Sequence, residues 1–81
     1  MDLKETINLM TSEDYKERFK AEYYQVKIRL EKLYEMLVRY DAGTLGFTPD
    51  CSIQLLKDQL SIMRDYLYAL QVRAEIEGIK L

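Results

Sequence analysis

Apolar residues recur along two long stretches of the chain, at steps that alternate between four and three residues. The first series is Phe19, Tyr23, Val26, Leu30, Leu33, Leu37 and Tyr40, and the second is Leu56, Leu60, Met63, Leu67, Leu70 and Ala74. Such spacing places each series along one side of an α-helix, as in a coiled-coil seam. No isolated run alternates apolar and polar residues, so the pattern does not predict a sheet.

Capping residues and glycines set the expected bounds of these helices. Thr11 or Ser12 is positioned to cap the first long helix, and Gly43 is positioned to close it. Gly78 follows the second long helix in the same way. A shorter apolar pattern near the start of the chain predicts one more helix. The three predicted helices span about residues 3–10, 13–41 and 52–77.

The two long helices are similar in length and are joined by one short connection. Such a pair packs as an antiparallel hairpin with the two seams facing each other. The 81 residues suffice for one small domain, which we place at residues 1–81. The predicted fold class is therefore all-α, a long antiparallel helical hairpin with a short N-terminal helix.

The hairpin carries more apolar residues than one seam can bury. On the last helix, a second stripe of apolar residues runs beside the seam. The short helix at the start of the chain is a candidate to cover part of this stripe. On the first long helix, Ile28, Met36 and Val38 point away from the seam. We predict a homo-oligomer whose interface uses these side chains. The predicted interface residues are Ile28, Met36, Leu55, Ile62, Tyr66 and Ile76.

Composition excludes several classes of function. The net charge of −2 argues against a nucleic-acid-coating protein, and no stretch is long and apolar enough for a membrane span. Without histidine and with the single Cys51, neither a common metal site nor a catalytic triad has its residues, so we predict no enzyme, no metal and no cofactor. A lone cysteine is typical of a reducing cytoplasm.

One segment is locally basic. Residues 16–32 hold six basic and three acidic side chains, and at helical spacing Lys16, Lys20, Tyr24 and Lys27 share one strip beside the seam, with Glu31 and Tyr34 further along it. We call these six residues together the lysine–tyrosine strip. Basic groups among tyrosines can bind phosphates and stack on bases. The same pattern is also typical of a solvated helix face whose side-chain stems cover the core.

Three segments carry a resemblance to known proteins: "SEDYKERFKAEYYQVKIRLEKL", "YDAGTLGFTPDC" and "YLYALQVRAEIEGIKL". Together they resemble a family of short helical proteins of unknown function encoded by bacteriophages and prophages. Where such relatives often carry proline after the cysteine, this chain has Ser52. The chain is also similar in kind to phage helical-hairpin sponges, oligomers that bind cyclic nucleotide immune signals at subunit junctions.

These observations lead to two hypotheses of function. The first is a non-catalytic phage-type protein that counters host defence in the bacterial cytoplasm by sequestering a cyclic nucleotide at subunit junctions or by binding a host defence protein. The alternative is a structural or adaptor oligomer that binds a host or phage protein and no small ligand. The predicted ligand-binding residues are Tyr15, Lys16, Arg18, Lys20, Tyr23, Tyr24 and Lys27.

Overall fold

The computed structural model describes residues 1–81 and confirms the predicted fold class. A 3₁₀ turn at Leu3–Thr6 leads into α1, Ile7–Met10, and the two long helices are α2, Tyr15–Asp41, and α3, Ile53–Glu77. The long helices pack against each other, and no strand is present. None of the helices combines the length and the apolar character that a membrane span requires.

Both long helices begin at residues whose side chains cap the first turn. Asp14, rather than either residue expected from the sequence, caps α2 by accepting a hydrogen bond from the backbone N–H of Lys16 at 2.9 Å. Ser52 caps α3 by accepting one from the N–H of Leu55 at 3.1 Å. A cap of this kind stabilises a helix by about 1 kcal/mol because it pairs a donor that has no partner inside the helix.

Glycines in the left-handed conformation close both long helices. Gly43 has φ 76° and Gly78 has φ 70°, values that a side chain disfavours. After each glycine, the next backbone N–H donates at 2.9 Å to a carbonyl in the last helical turn, in the pattern of a Schellman motif. Behind Gly78 this turn carries Ile79 back onto Ala74, and both side chains are buried.

The core is the seam between α2 and α3. Burying one leucine, isoleucine or phenylalanine side chain contributes roughly 1.5–3 kcal/mol, so these few residues hold the hairpin together. Only nine of the 81 residues are buried, which leaves both flanks of the seam accessible. The buried apolar residues are Phe19, Ala21, Tyr23, Leu37, Leu60, Leu70, Ala74 and Ile79.

The N-terminal segment packs on α2 alone. Thr6 is buried, and the Gln25 amide nitrogen donates to its hydroxyl oxygen at 3.0 Å and reaches the Met10 sulfur at 3.5 Å. Ala21, one turn before Gln25 on the same face of α2, is also buried. The 3₁₀ turn and α1 make no contact with α3. The prediction that the N-terminal helix covers part of the second stripe of α3 is therefore wrong.

Truncating Leu70, which is 1% exposed, should lower the free energy of unfolding by roughly 2–5 kcal/mol in a Leu70→Ala variant. The matched control is Leu55→Ala, which removes the same atoms from a side chain that is 57% exposed. Urea unfolding followed by circular dichroism measures both losses, with the control expected within about 0.5 kcal/mol of the wild type at low protein concentration. Equal losses in the two variants would contradict this assignment of the core.

Candidate functional site

The lysine–tyrosine strip lies along one side of α2, beside the seam. Lys16 is exposed, while Lys20, Tyr24 and Lys27 are half-buried, since their stems lie against the hairpin. None of these three lysines forms an ion pair. Residues three and four positions apart on a helix are neighbours, so the strip presents closely spaced cations without bound carboxylates.

Tyr23 belongs to the core and not to the surface. Its side chain is 6% exposed, and its hydroxyl oxygen accepts a hydrogen bond from the Gln71 amide nitrogen at 3.4 Å. Its ring meets the ring of Tyr24 edge to face, with 5.1 Å between the centroids. The buried Tyr23 ring is therefore not available to stack on a base, but it fixes the orientation of Tyr24 within the strip.

Arg18 lies on the opposite flank of the seam from the strip, as its helical position dictates. One of its terminal nitrogens donates to the backbone carbonyl oxygen of Ser12 at 2.9 Å. This bond ties the exposed side chain to the turn that precedes α2. The structure thus does not bring Arg18 together with Lys16 and Lys20.

Tyr15 is part of a polar cluster that joins the start of α2 to the end of α3. Arg73 Nη2 donates to the Tyr15 hydroxyl oxygen at 2.7 Å, and that hydroxyl donates to Glu77 Oε1 at 2.8 Å. Arg73 Nε also pairs with Glu77 Oε2 at 3.2 Å. The Arg73 guanidinium lies over the ring of Phe19, 5.0 Å from its centroid. Tyr15, Arg73 and Glu77 therefore form one closed network of hydrogen bonds over the core.

The cluster changes the acidity of its own members. The Glu77 carboxylate accepts the phenolic hydrogen and raises the pKa of Tyr15 above its ordinary value of 10.0, desolvation acts in the same direction, and the charge of Arg73 opposes both. Glu77 also raises the pKa of Arg73. Because the pKa of Tyr15 is higher in the folded chain, this hydroxyl stabilises the fold below the ordinary tyrosine pKa. That stabilisation is lost as the pH rises through the folded value.

A shallow cleft of about 290 Å³ lies further along the hairpin, on the same side as the strip. The Arg64 guanidinium carbon lies 5.5 Å from the centroid of the Tyr34 ring, a cation–π contact between α3 and α2. Beside it, Lys57 Nζ pairs with Asp41 Oδ1 at 3.3 Å. Helical spacing predicts Tyr34 on the strip, but it does not predict Arg64 or Lys57 beside it, because spacing alone does not determine which α3 side chains face that flank.

The predicted interface residues divide into two groups. On α2, Ile28 and Met36 are half-buried, and Met36 lies in a second cleft of about 280 Å³ beneath Leu45 and Phe47. Ile28 and Met36 are therefore less accessible to a second copy of the chain than the sequence pattern predicts. On α3 the remaining four side chains are exposed along one flank. They form the apolar stripe of α3, which consists of Leu55, Ile62, Tyr66 and Ile76.

An all-α hairpin with a cationic, tyrosine-bearing flank and an exposed apolar stripe has the make-up of a small binding protein. Residues 13–76, well over half of the chain, match the Sequestin family, so the chain belongs to that family. The family name denotes sequestration of a ligand or partner. No curated protein and no solved structure matches the chain. The matched range contains the strip, the cleft at Tyr34 and most of the seam, and it omits α1.

The Tyr15 cluster makes a prediction about titration. Removing the acceptor in a Glu77→Ala variant should lower the pKa of Tyr15 towards the ordinary tyrosine value, whereas an Arg73→Gln variant should raise it further because a neighbouring positive charge is lost. Carbon-13 NMR of the tyrosine rings, followed from neutral to alkaline pH, measures the shift.

The matched control for this titration is Glu75→Ala, which removes a carboxylate of the same helix that has no bond to Tyr15. This variant should leave the pKa of Tyr15 at the wild-type value. If Glu77→Ala and Glu75→Ala titrate alike, the hydrogen bond from Tyr15 to Glu77 does not form in solution.

Proposed function

We propose that the protein is a non-catalytic, phage- or prophage-encoded binding protein that counters host defence by sequestering a cyclic nucleotide signal in the host cytoplasm. The observation that carries the proposal is membership of the Sequestin family together with a cation-rich strip inside the matched residues. A cyclic nucleotide carries phosphates and flat aromatic bases. It therefore needs cations and ring surfaces close together.

The strip supplies both kinds of group. Lys16, Lys20 and Lys27 are free to neutralise phosphates, and the half-buried Tyr24 ring, supported by Tyr23, offers a surface on which a base can stack. Tyr15 is 47% exposed, but its hydroxyl is bonded to Arg73 and Glu77, across the seam from the strip. In this proposal Tyr23 acts as a support for the site rather than as a stacking surface.

A single hairpin leaves this strip open to water, which weakens every ionic contact. We infer that a second copy closes it. The chain exposes 5921 Å², whereas a monomer of its mass is expected to expose about 5,100 Å². The excess, roughly 800 Å², reflects the elongated shape of the hairpin and is similar to the area that one partner buries in an interface of standard size. The apolar stripe of α3 is the surface most in need of such a cover.

Native mass spectrometry of the protein purified from bacteria should reveal an oligomer that carries additional mass in the range of nucleotides. A panel of cyclic nucleotides, titrated calorimetrically into ligand-free protein, would identify the class. A Lys20→Glu, Lys27→Glu double variant should lose binding, because two of the three phosphate partners are reversed in charge. It should keep its helical circular dichroism.

The matched control is Arg29→Glu, which reverses a charge on the other flank of α2, opposite the strip. It should bind the same nucleotide with unchanged affinity. A protein that binds no member of the panel, or a double variant that binds as well as Arg29→Glu does, would refute sequestration of a nucleotide by the strip.

The exposed stripe of α3 favours a second candidate function, an adaptor oligomer that binds a host or phage protein and no small ligand. Ile62 and Ile76 are 68% and 79% exposed, unusual values for side chains of this kind. Such a surface fits an apolar partner helix. Under this proposal the strip is a solvated face.

An Ile62→Asp variant separates assembly from ligand binding. The charge on the apolar stripe should dissociate the oligomer, which sedimentation velocity detects, while the exposed position leaves the fold intact. Retained function in a cell-based anti-defence assay would oppose both the adaptor and the subunit-junction site. Loss of function in this variant, together with full function when Lys16, Lys20 and Lys27 are replaced by alanine, would favour the adaptor.

A further inference from the structure

The cleft at Tyr34 combines features that a nucleotide-binding surface requires. It is formed by both long helices, with Tyr34, Leu37, Val38 and Asp41 from α2 and Lys57, Leu60 and Arg64 from α3. Leucines from both helices supply its apolar lining. Its volume of about 290 Å³ lies just below the range of sites for drug-sized molecules, so it suits one nucleotide unit rather than two.

One wall of the cleft is a preformed aromatic–cation pair. Tyr34 is 47% exposed, and the Arg64 guanidinium lies over its ring without any carboxylate partner. No side-chain hydrogen bond or ion pair engages this guanidinium, so its N–H donors remain available. Arg64 can therefore donate to a phosphate while Tyr34 contacts a base.

The other wall holds a cation that is already engaged. Lys57 pairs with Asp41, but the two side chains are 44% and 56% exposed, and an exposed ion pair of this kind is weak. A phosphate bound beside Arg64 would compete with the Asp41 carboxylate for Lys57. Asp41 is then a built-in competitor, and its charge sets how readily an anion enters the cleft.

We propose that this cleft binds one base and one phosphate of the sequestered nucleotide, with Tyr34 against the base, Arg64 and Lys57 on the phosphate, and Asp41 displaced. This inference rests on the proposed function and extends its site from the lysine–tyrosine strip to the far half of the hairpin. It adds Tyr34, Lys57 and Arg64 to the predicted ligand-binding residues. It also gives Asp41 a role in selectivity.

NMR titration of the full chain with adenosine monophosphate tests the proposal, with inorganic phosphate as the probe that lacks a base. The nucleotide should shift the amide signals around Tyr34, Lys57 and Arg64. Tyr34→Ala and Arg64→Gln should each weaken its binding about tenfold, because each removes one stacking or charge-assisted contact. Asp41→Asn should tighten it about threefold, because the competitor loses its charge.

Two control variants preserve the chemistry of these changes at other positions. Tyr68→Ala removes an exposed tyrosine of α3 that does not line the cleft, and Arg29→Gln removes an exposed arginine on the other flank. Both should bind the nucleotide as the wild type does. Circular dichroism of every variant establishes that the hairpin is folded before affinities are compared.

The outcomes distinguish this proposal from the proposed function. Nucleotide-induced shifts confined to Lys16, Lys20 and Lys27, with unchanged affinity in Tyr34→Ala and Arg64→Gln, would leave sequestration by the strip standing and overturn the cleft. Inorganic phosphate that binds the cleft as tightly as the nucleotide would overturn the role of Tyr34. Absence of binding by either probe anywhere on the chain would overturn the cleft and oppose the proposed function together.

Discussion

The packing of α2 against α3 is the constraint on which the whole structure depends. A two-helix hairpin can bury only one seam from each helix, and here nine residues are buried in all. With so thin a core, the ends of the helices matter as much as the middle. The Schellman turn at Gly78 returns Ile79 to the seam, and the Tyr15–Arg73–Glu77 cluster ties the same end from outside. Both contacts resist separation of the helices where the chain is not joined.

A thin seam also leaves two separate flanks for function. At about 100° per residue, Arg64 lies on one side of the α3 seam while Ile62 and Tyr66 lie on the other. The lysine–tyrosine strip and the cleft at Tyr34 therefore share one flank, and the apolar stripe of α3 occupies the opposite one. Because the two surfaces lie on opposite flanks, a second copy would close the strip by laying its own stripe over it, in a head-to-tail junction.

Features that depend on local spacing were predictable from the sequence. The alternation of four and three residues predicts the helices and the seam, and Gly43 and Gly78 predict where helices end, because the backbone itself requires glycine there. Contacts across the hairpin were not predictable in the same way. Arg73 reaches Tyr15 from 58 residues away, and α1 packs on α2 alone. Tyr23 fitted both the seam and the ligand set, and only its burial between the two helices decides between them.

A surface that sequesters a ligand needs only affinity for that ligand, whereas a catalytic site must also position reacting groups. Lysines on an open helix face are screened by water and salt, so the strip of a single hairpin would bind an anion only weakly. A second copy that excludes water would strengthen each ionic contact. Ligand binding and assembly would then be linked, and each would favour the other by the same free energy. Under that linkage, a chain that associates weakly without ligand would become a firm oligomer when the ligand is abundant, which is when sequestration would be useful.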